Sequence, residues 1–246
     1  MPLEITLEHL ESLIPFFKGK PGISGSAIRV PHVSLSQLIH GHFTEHAAPD
    51  HANKASLSNA LALLGERPAY IVETGSAAWG AKSTLLFDSY VNSFGGQLDS
   101  VDIRLEPAYT LSRQCSSKTK VFCDDSLNFL KHLDEKRVDL YYLDSFDLDP
   151  SDPLPSMIHG LHEFLLILPR LRRYGGYVLI DDTPRDQQAW ETVQGQQFSS
   201  LLANHRVNYG VYPGKGALVA GHVMHSTECE ILWWDYQLML RINPNP

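Results

Sequence analysis

Short apolar runs recur along the middle of the chain, and each carries an acidic residue near its end. They are "AYIVETG" (69–75), "GQLDSVDI" (96–103), "KVFCDDS" (120–126), "VDLYYLDS" (138–145) and "GGYVLIDD" (175–182). The segments between them space their apolar residues as helices do, as in "SLNFLKHLDEKR". Strands that alternate with helices are typical of βαβ units, in which helices cover both faces of a parallel sheet. The pattern therefore predicts an α/β fold with a doubly wound, mostly parallel sheet.

Two further blocks flank this alternation. Residues 1–66 have largely helical patterns around a histidine-rich polar stretch, "HGHFTEHAAPDHANK", so we expect a helical N-terminal extension with a solvated lid before a main domain at 67–246. After the fifth run, "RVNYGVYPGKGALVAGHVM" and "CEILWWDYQLMLRI" surround Gly-Lys-Gly at 214–216, which predicts a hairpin turn and an antiparallel strand pair at the sheet edge. One of Trp233 and Trp234 must face outward from a regular strand, so we also expect a homodimer contact there.

Composition limits the classes of protein that fit. The 246 residues carry a formal net charge of −8, which argues against a general affinity for nucleic acid. No apolar run approaches the ~20 residues that cross a bilayer. The N-terminus "MPLEITLEHLESLIPFFKGK" has the pattern of an amphipathic helix rather than of a signal peptide, and the three cysteines lack metal-ligand spacing and fit reduced thiols. We therefore expect a cytoplasmic protein that partners neither nucleic acid nor a membrane.

Acidic residues follow all five predicted parallel strands. They are Glu73, Asp102, Asp124 with Asp125, Asp144, and Asp181 with Asp182. A single acid at such a place is typical of a helix cap. Because ligands of an open parallel sheet bind at the carboxyl ends of its strands, the repeated acids favour a crevice built for a ligand with hydroxyls, amines or a metal ion.

The first crossover, "VETGSAAWGAKSTLLF", supplies a second signal. Its glycines at 75 and 80 let the backbone turn sharply, and a helix begins near Ser83. The spacing is neither the G-x-G-x-x-G fingerprint of nicotinamide enzymes nor a phosphate-cradling G-x-x-x-x-G-K-[ST] loop. A loop that opens with Glu73 suits a ligand with an ammonium group, and Asp102 ends the second strand where such folds hold a ribose diol.

The ordered series "VETGS", "SVDI", "FCDDS", "YYLDS" and "GGYVLIDD" resembles the class I S-adenosylmethionine-dependent methyltransferases over residues 55–185. The resemblance implies a Rossmann-like sheet of seven strands whose last pair is antiparallel. It also implies a set of cofactor ligands: around the methionine Glu73, Gly75, Ser76, Ser83 and Asp144, at the ribose Asp102, and at the adenine Asp125 and Ser126.

Within that family, "YLDS" and "LIDDT" are similar to the divalent-metal-dependent O-methyltransferases of the catechol, caffeoyl-coenzyme A and macrolide-sugar types. This similarity implies that Asp144, Asp181 and Asp182 bind Mg²⁺ or Mn²⁺, hard cations that prefer oxygen ligands. The ion would bind a substrate hydroxyl, lower its pKa and hold it in line with the sulfonium methyl group. The alternative is that Asp182 caps a turn into "TPRD" while Asp181 faces solvent.

The general base is less clearly marked. Three residues after the first metal ligand, catechol-type members have a lysine and macrolide-sugar members a histidine, whereas this chain has Asp147. Because a bound dication lowers the pKa of a nearby carboxyl group, Asp147 would be a weak base, a fourth ligand, or a residue that orients a base. His159 is the next candidate, since it shares one helix face with His162 and Glu163.

Taken together, these observations predict an S-adenosylmethionine-dependent, Mg²⁺-dependent O-methyltransferase. Its acceptor would be a hydroxyl of a small neutral molecule such as a sugar, polyol, phenol or other natural product. Two alternatives stay open: a nicotinamide-dependent oxidoreductase on the same kind of sheet, and a catalytically inactive cofactor-binding protein.

Overall fold

The computed structural model describes residues 33–76, 80–205 and 211–244. The amphipathic helix predicted for the first 20 residues lies outside this range, as does part of the first crossover loop. Residues from Val33 onward belong to one compact unit. None of the helices in the described ranges is long and apolar enough to cross a membrane.

A seven-stranded sheet runs through this unit in the order β3-β2-β1-β4-β5-β7-β6. The strands are β1 (Ala69–Thr74), β2 (Gly96–Asp102), β3 (Thr119–Cys123), β4 (Leu140–Leu143), β5 (Gly176–Ile180), β6 (Cys229–Trp234) and β7 (Leu238–Ile242). The first five strands are parallel, and β7 runs antiparallel to both β5 and β6. The predicted Rossmann-like, doubly wound sheet with an antiparallel edge is therefore confirmed.

Helices connect the strands and cover both faces. They are α1 (Leu35–Glu45), α2 (Lys54–Leu64), α3 (Ser83–Phe94), α4 (Leu105–Gln114), α5 (Ser126–His132), α6 (Leu154–Tyr174), α7 (Gln187–Gln194), α8 (Gln196–Ala203) and α9 (Ala217–Val223). Local sequence explains where several begin. Ser34 and Gln37 form a capping box at the start of α1, and Asp186 accepts a hydrogen bond from the Ala189 amide at the start of α7.

Two apolar cores lie on opposite faces of the sheet. Ile71 and Tyr142 belong to the core under α1, α2 and α3, whereas their strand neighbours Val72 and Tyr141 belong to the core under α6. All four side chains are almost fully buried. Because successive residues of a strand point to opposite faces, this arrangement requires the near-continuous apolar strands seen in the sequence.

The predicted hairpin around Gly-Lys-Gly is wrong. Residues 217–223 form helix α9 rather than a strand, and the antiparallel pair consists of β6 and β7, which are joined by residues 235–237. The preceding "RVNYG" lies outside the described residues. Of the two edge tryptophans, Trp233 faces outward with 37% of its surface exposed, while the Trp234 indole N–H donates to the Thr183 carbonyl oxygen. The homodimer contact remains a prediction.

Candidate functional site

A cavity of about 470 Å³ opens at the carboxyl ends of β1, β2, β4 and β5, which is the edge that the acidic residues predict. Its volume is in the range of small-molecule sites. Its lining includes most of the predicted site residues, namely Gly75, Asp102, Asp125, Ser126, Asp144, Asp147, His159, Asp181 and Asp182.

The carboxylate of Asp102 lies at this cavity but already has a partner. Its two oxygens accept hydrogen bonds from Nε and Nη2 of Arg104, both at 3.0 Å, and Oδ1 also accepts one from the Arg104 amide at 2.8 Å. The carboxylate is buried, whereas 48% of the Arg104 side chain is exposed. Because about half of the Arg104 side chain is exposed, the guanidinium group has room to move into solvent and leave the carboxylate to a ribose diol.

Glu73 lies beneath the cavity and does not reach it. The side chain is fully buried, and its carboxylate accepts hydrogen bonds from the hydroxyls of Ser83 at 2.5 Å, Thr84 at 2.6 Å and Ser100 at 2.5 Å. Burial raises the pKa of Glu73, and the three hydroxyls offset part of that rise. Neither Glu73 nor Ser83 lines the cavity: their side chains hold β1, β2 and α3 together, and a role for them around the methionine stays a prediction.

Gly75 lies where β1 leaves the sheet, at a φ of 83°. A Cβ atom there would be 2.4 Å from the Asp144 carbonyl oxygen, so only glycine fits between β1 and β4. The next residue, Ser76, is buried, and its Oγ has no hydrogen-bond partner among the described residues. Residues 77–79 of the same loop lie outside the described ranges.

The residues after β3 form a second side of the cavity. Asp125 caps α5, since its Oδ1 accepts from the Asn128 amide at 3.0 Å. The Ser126 hydroxyl lies 2.9 Å from His159 Nε2, and that nitrogen lies 3.7 Å from a carboxylate oxygen of Glu163. The helix-cap alternative thus holds for Asp125, which also lines the cavity.

The two predicted bases line the cavity in different settings. Asp147 is exposed, and its negative charge contributes to the raised pKa of Arg104, whose largest cause is the hydrogen bond to Asp102. His159 is half-buried, with its ring 5.1 Å from that of Phe146. Its contacts connect it to Ser126 and Glu163, so it belongs to the β3 side of the cavity.

The three carboxylates that the resemblance assigns to a metal do come together. Asp144, Asp181 and Asp182 each offer an oxygen, and these oxygens lie within 4.8 Å of one another. Asp181 is buried rather than solvent-facing, and its Oδ1 accepts from the amides of Asn53 at 3.1 Å and Gln237 at 2.5 Å. The alternative in which Asp181 faces solvent is therefore wrong.

A cation that the sequence analysis missed lies among these carboxylates. The Lys215 ammonium is 2.6 Å from Asp144 Oδ1 and 3.3 Å from Asp182 Oδ2, and it also donates to the Asp144 carbonyl oxygen at 3.2 Å. Lys215 is buried, with 4% of its surface exposed. The only signal in the sequence was the Gly-Lys-Gly at 214–216, which was interpreted as a turn.

The pKa shifts within this cluster have opposing causes. Burial raises the pKa of the Asp144 carboxyl well above its ordinary value, repulsion from Asp181 adds to the rise, and Lys215 offsets only part of it. Burial also raises the pKa of Asp182. Burial alone would lower the pKa of Lys215, but the attraction of Asp144 and Asp182 outweighs it and raises that pKa, so Lys215 stays charged and cannot act as a base.

Close backbone packing fixes the position of Lys215. Its amide donates to the Asp182 carbonyl oxygen at 2.8 Å, and the Gly216 amide donates to Thr183 Oγ1 at 2.9 Å. A Cβ atom on Gly214 would lie 2.4 Å from the Asp182 carbonyl oxygen, and one on Gly160 of α6 would lie 2.4 Å from the Lys215 carbonyl oxygen. Glycine at these positions lets the loop lie directly on the ends of β5 and α6.

This packing predicts opposite effects of one substitution at two helical glycines. Gly160→Ala should lower the free energy of unfolding by about 1–3 kcal/mol, because the added methyl group collides with the Lys215 backbone. Gly41→Ala should raise it by up to about 1 kcal/mol, since alanine favours the helix and nothing lies within 4 Å of the new Cβ. Urea titration measures both. Equal effects at the two positions would contradict the close approach at Gly160.

Comparisons with known proteins come from solved structures alone, because no protein-family model and no curated protein matches the chain. A protein from Corynebacterium glutamicum aligns over 96% of this chain and 96% of its own, with 14% identity and a TM-score of 0.48. A Streptococcus mutans protein described as a methyltransferase, solved with SAH, aligns over 79% of this chain and 99% of its own, with 10% identity and a TM-score of 0.47. A protein from Clostridium thermocellum described as an rRNA methylase aligns over 79% and 97%, with 10% identity and a TM-score of 0.46. At these identities and with TM-scores below 0.5, no conclusion about this chain follows from the likeness.

Proposed function

We propose that the chain is an S-adenosylmethionine-dependent methyltransferase that acts on a hydroxyl of a small molecule. The observation that carries the proposal is the position of the cavity. From β1 the chain continues to β2 and β3 on one side of the sheet, and it then returns to β4 on the other side of β1. The cavity opens at this point, between β1 and β4, where the strand order reverses. Doubly wound sheets bind nucleotide-like ligands at this point.

The proposed pose assigns each part of the cofactor to residues of the cavity. The methionine part would lie against the Gly75 backbone, and the ribose hydroxyls would replace Arg104 on the Asp102 carboxylate. The adenine would lie toward Asp125 and Ser126, next to the exposed apolar side chains of Ile103 and Phe146, which line the same cavity. Flat apolar surface beside polar groups suits a nucleobase.

Two buried oxygen atoms favour an acceptor with O–H groups. Oδ1 of Asn53 and Oδ2 of Asp144 have no hydrogen-bond partner among the described residues, although both side chains line the cavity. Leaving a buried acceptor unsatisfied costs about 1–3 kcal/mol, so a ligand that donates hydrogen bonds would stabilise this part of the site. The surrounding carboxylates disfavour a polyanionic acceptor.

The reaction would form an oxygen–carbon bond to the methyl group as its carbon–sulfur bond breaks, which releases S-adenosylhomocysteine. The acceptor's proton would pass to a base at the cavity. Asp147 and His159 remain the predicted bases, and both line the cavity. The carboxylate cluster would orient the acceptor hydroxyl toward the methyl group, which is the positioning that such transfers require.

The divalent ion that the resemblance implies does not fit the side chains as they lie. Lys215 already contacts Asp144 and Asp182, and one oxygen of Asp181 already accepts two amide hydrogen bonds. A dication about 4 Å from an ammonium would be repelled by roughly 8 kcal/mol at an effective dielectric constant of about 20. We therefore assign no step of the reaction to Mg²⁺ or Mn²⁺.

Calorimetric titration with S-adenosylhomocysteine tests the proposal directly. We expect saturable binding of one equivalent to the wild-type protein and no saturable binding of NADH or NADPH. Absence of S-adenosylhomocysteine binding would end the methyltransferase proposal, and saturable NADH binding would favour the oxidoreductase alternative. A screen of hydroxylated small molecules with labelled S-adenosylmethionine then tests the acceptor, since a product methylated on nitrogen or carbon would overturn the O-methyl assignment.

A further inference from the structure

The cation that lies among the three carboxylates is the ammonium group of a side chain of this protein, Lys215. We propose that Lys215 takes the place of a divalent ion at the acceptor end of the cavity, and that removal of its side chain opens a divalent-cation site between Asp144, Asp181 and Asp182. The part of this inference that concerns catalysis rests on the proposed function, whereas the part that concerns ion binding does not.

The contacts of the ammonium support a clamping role. An ammonium group has three N–H donors, and three oxygens lie within reach of it: Oδ1 and the carbonyl oxygen of Asp144, and Oδ2 of Asp182. Two of the donors make hydrogen bonds to Asp144, and the ammonium also forms an ion pair with Asp182. Lys215 is thus a positioning residue that holds two carboxylates together.

The lysine is held in this place by its backbone. The amides of Lys215 and Gly216 donate to groups at the end of β5, and glycines at 160, 214 and 216 permit contacts that a Cβ atom would prevent. The side chain is also nine-tenths buried. A cation built in with this degree of packing remains in the cluster and does not compete with solvent for its place.

Charge and geometry together define what its removal leaves. With Lys215 the fully ionised cluster carries two net negative charges, and without it the same carboxylates would carry three. Oδ2 of Asp144 is buried and has no partner among the described residues, and the other offered oxygens lie within 4.8 Å. Several carboxylate oxygens at one point are the ligands that hard divalent cations prefer.

Uptake of Mn²⁺ by the full-length protein tests the inference without any assay of activity. The wild type should bind no stoichiometric Mn²⁺ up to about 1 mM, the range of weak oxygen-ligand sites. Lys215→Ala should bind one equivalent at least about tenfold more tightly than the wild type, since a repelling charge is removed. The double variant Lys215→Ala/Asp181→Asn should lose this binding again.

Stoichiometric binding of Mn²⁺ by the wild type, as tight as by Lys215→Ala, would overturn the inference. So would a folded Lys215→Ala protein that takes up no ion. Circular dichroism establishes folding, and Lys215→Met, which lacks the ammonium but keeps the rest of the side chain's length, replaces Lys215→Ala if the shorter variant does not fold. If neither variant folds, Mn²⁺ binding by the wild type is the remaining test. One tightly bound Mn²⁺ refutes the inference, and the absence of tight binding supports it.

A second measurement separates this inference from the proposed function. Methyl transfer by the wild type should be unchanged after exhaustive chelation with EDTA. Loss of transfer that Mg²⁺ restores would overturn the inference and leave the methyltransferase proposal intact, provided that S-adenosylhomocysteine still binds. Failure of the wild type to bind S-adenosylhomocysteine would refute the proposed function instead, while the Mn²⁺ result would stand.

Discussion

Replacing Asp102 with alanine is expected to weaken the binding of S-adenosylhomocysteine by at least about 100-fold. The proposed cofactor pose uses both carboxylate oxygens for the two ribose hydroxyls, and hydrogen bonds to a charged group are worth about 1.5–3 kcal/mol each. A loss of about 2.7 kcal/mol corresponds to that factor. Calorimetry on the two proteins measures it, with circular dichroism to establish that the variant is folded.

Arg104→Ala is the matched control, because it removes the guanidinium group that occupies the same carboxylate. S-adenosylhomocysteine should bind this variant as tightly as the wild type or a few-fold more tightly, since no pair must be broken first. A loss of affinity as large as that of Asp102→Ala would mean that the ligand contacts the guanidinium group. That outcome would contradict the ribose assignment and favour a ligand with a phosphate group.

Replacing Glu73 with alanine is expected to lower the free energy of unfolding by about 2–5 kcal/mol. The change removes the acceptor shared by three buried hydroxyls, those of Ser83, Thr84 and Ser100. It also leaves a cavity between β1, β2 and α3. Urea unfolding followed by circular dichroism measures the difference. Glu106→Ala, an exposed acid in the first turn of α4, should cost less than about 1 kcal/mol.

Glu73→Gln tests how the stability of the protein depends on pH, and the direction of the expected difference follows from the pKa of Glu73. Because burial raises the pKa of Glu73 above its ordinary value of 4.5, the folded state binds this proton more tightly than the unfolded state. Its contribution to stability is therefore fully present below pH 4.5 and is lost as the pH rises through the raised pKa. The glutamine variant should lack this loss. If stability depended on pH in the same way in both proteins, the raised pKa of Glu73 in the folded protein would be contradicted.

The central sheet could be predicted from the sequence because its signals are local. Each parallel strand is a short apolar run bounded by polar residues, and the alternation with helical spacing sets the fold class. The position of the cavity followed from the same pattern, since acids at strand ends must gather at one edge. Asp102, Asp144, Asp181 and Asp182 all lie there.

The role of Glu73 could not be predicted from the local sequence pattern. It stands near the end of a strand like the other acids, but its side chain points below the cavity, toward hydroxyls of α3 and β2. Those hydroxyls lie 10 to 27 residues away along the chain. No local pattern distinguishes an acid that faces a ligand from one that faces buried serines.

Lys215 was missed for a related reason. It lies 71 residues from Asp144 in the sequence, and the segment between them includes strand β5 and helices α6, α7 and α8. The run that follows it, "ALVAGHV", is too short for its apolar pattern to separate a helix from a strand. Because this run was interpreted as a strand, Gly-Lys-Gly was interpreted as a hairpin turn, and Lys215 was not considered as a residue of the cavity.

The close contact between Gly160 and the Lys215 backbone also predicts which residues relatives of this chain keep together. Glycines at 160, 214 and 216 each pack so closely against neighbouring atoms that an added methyl group would collide with them, so they can be exchanged only if the lysine-bearing loop moves away. We therefore expect relatives of this chain to divide into two groups. Those that keep the lysine should keep all three glycines, and those with larger residues at these positions should have lost the lysine while retaining the three aspartates.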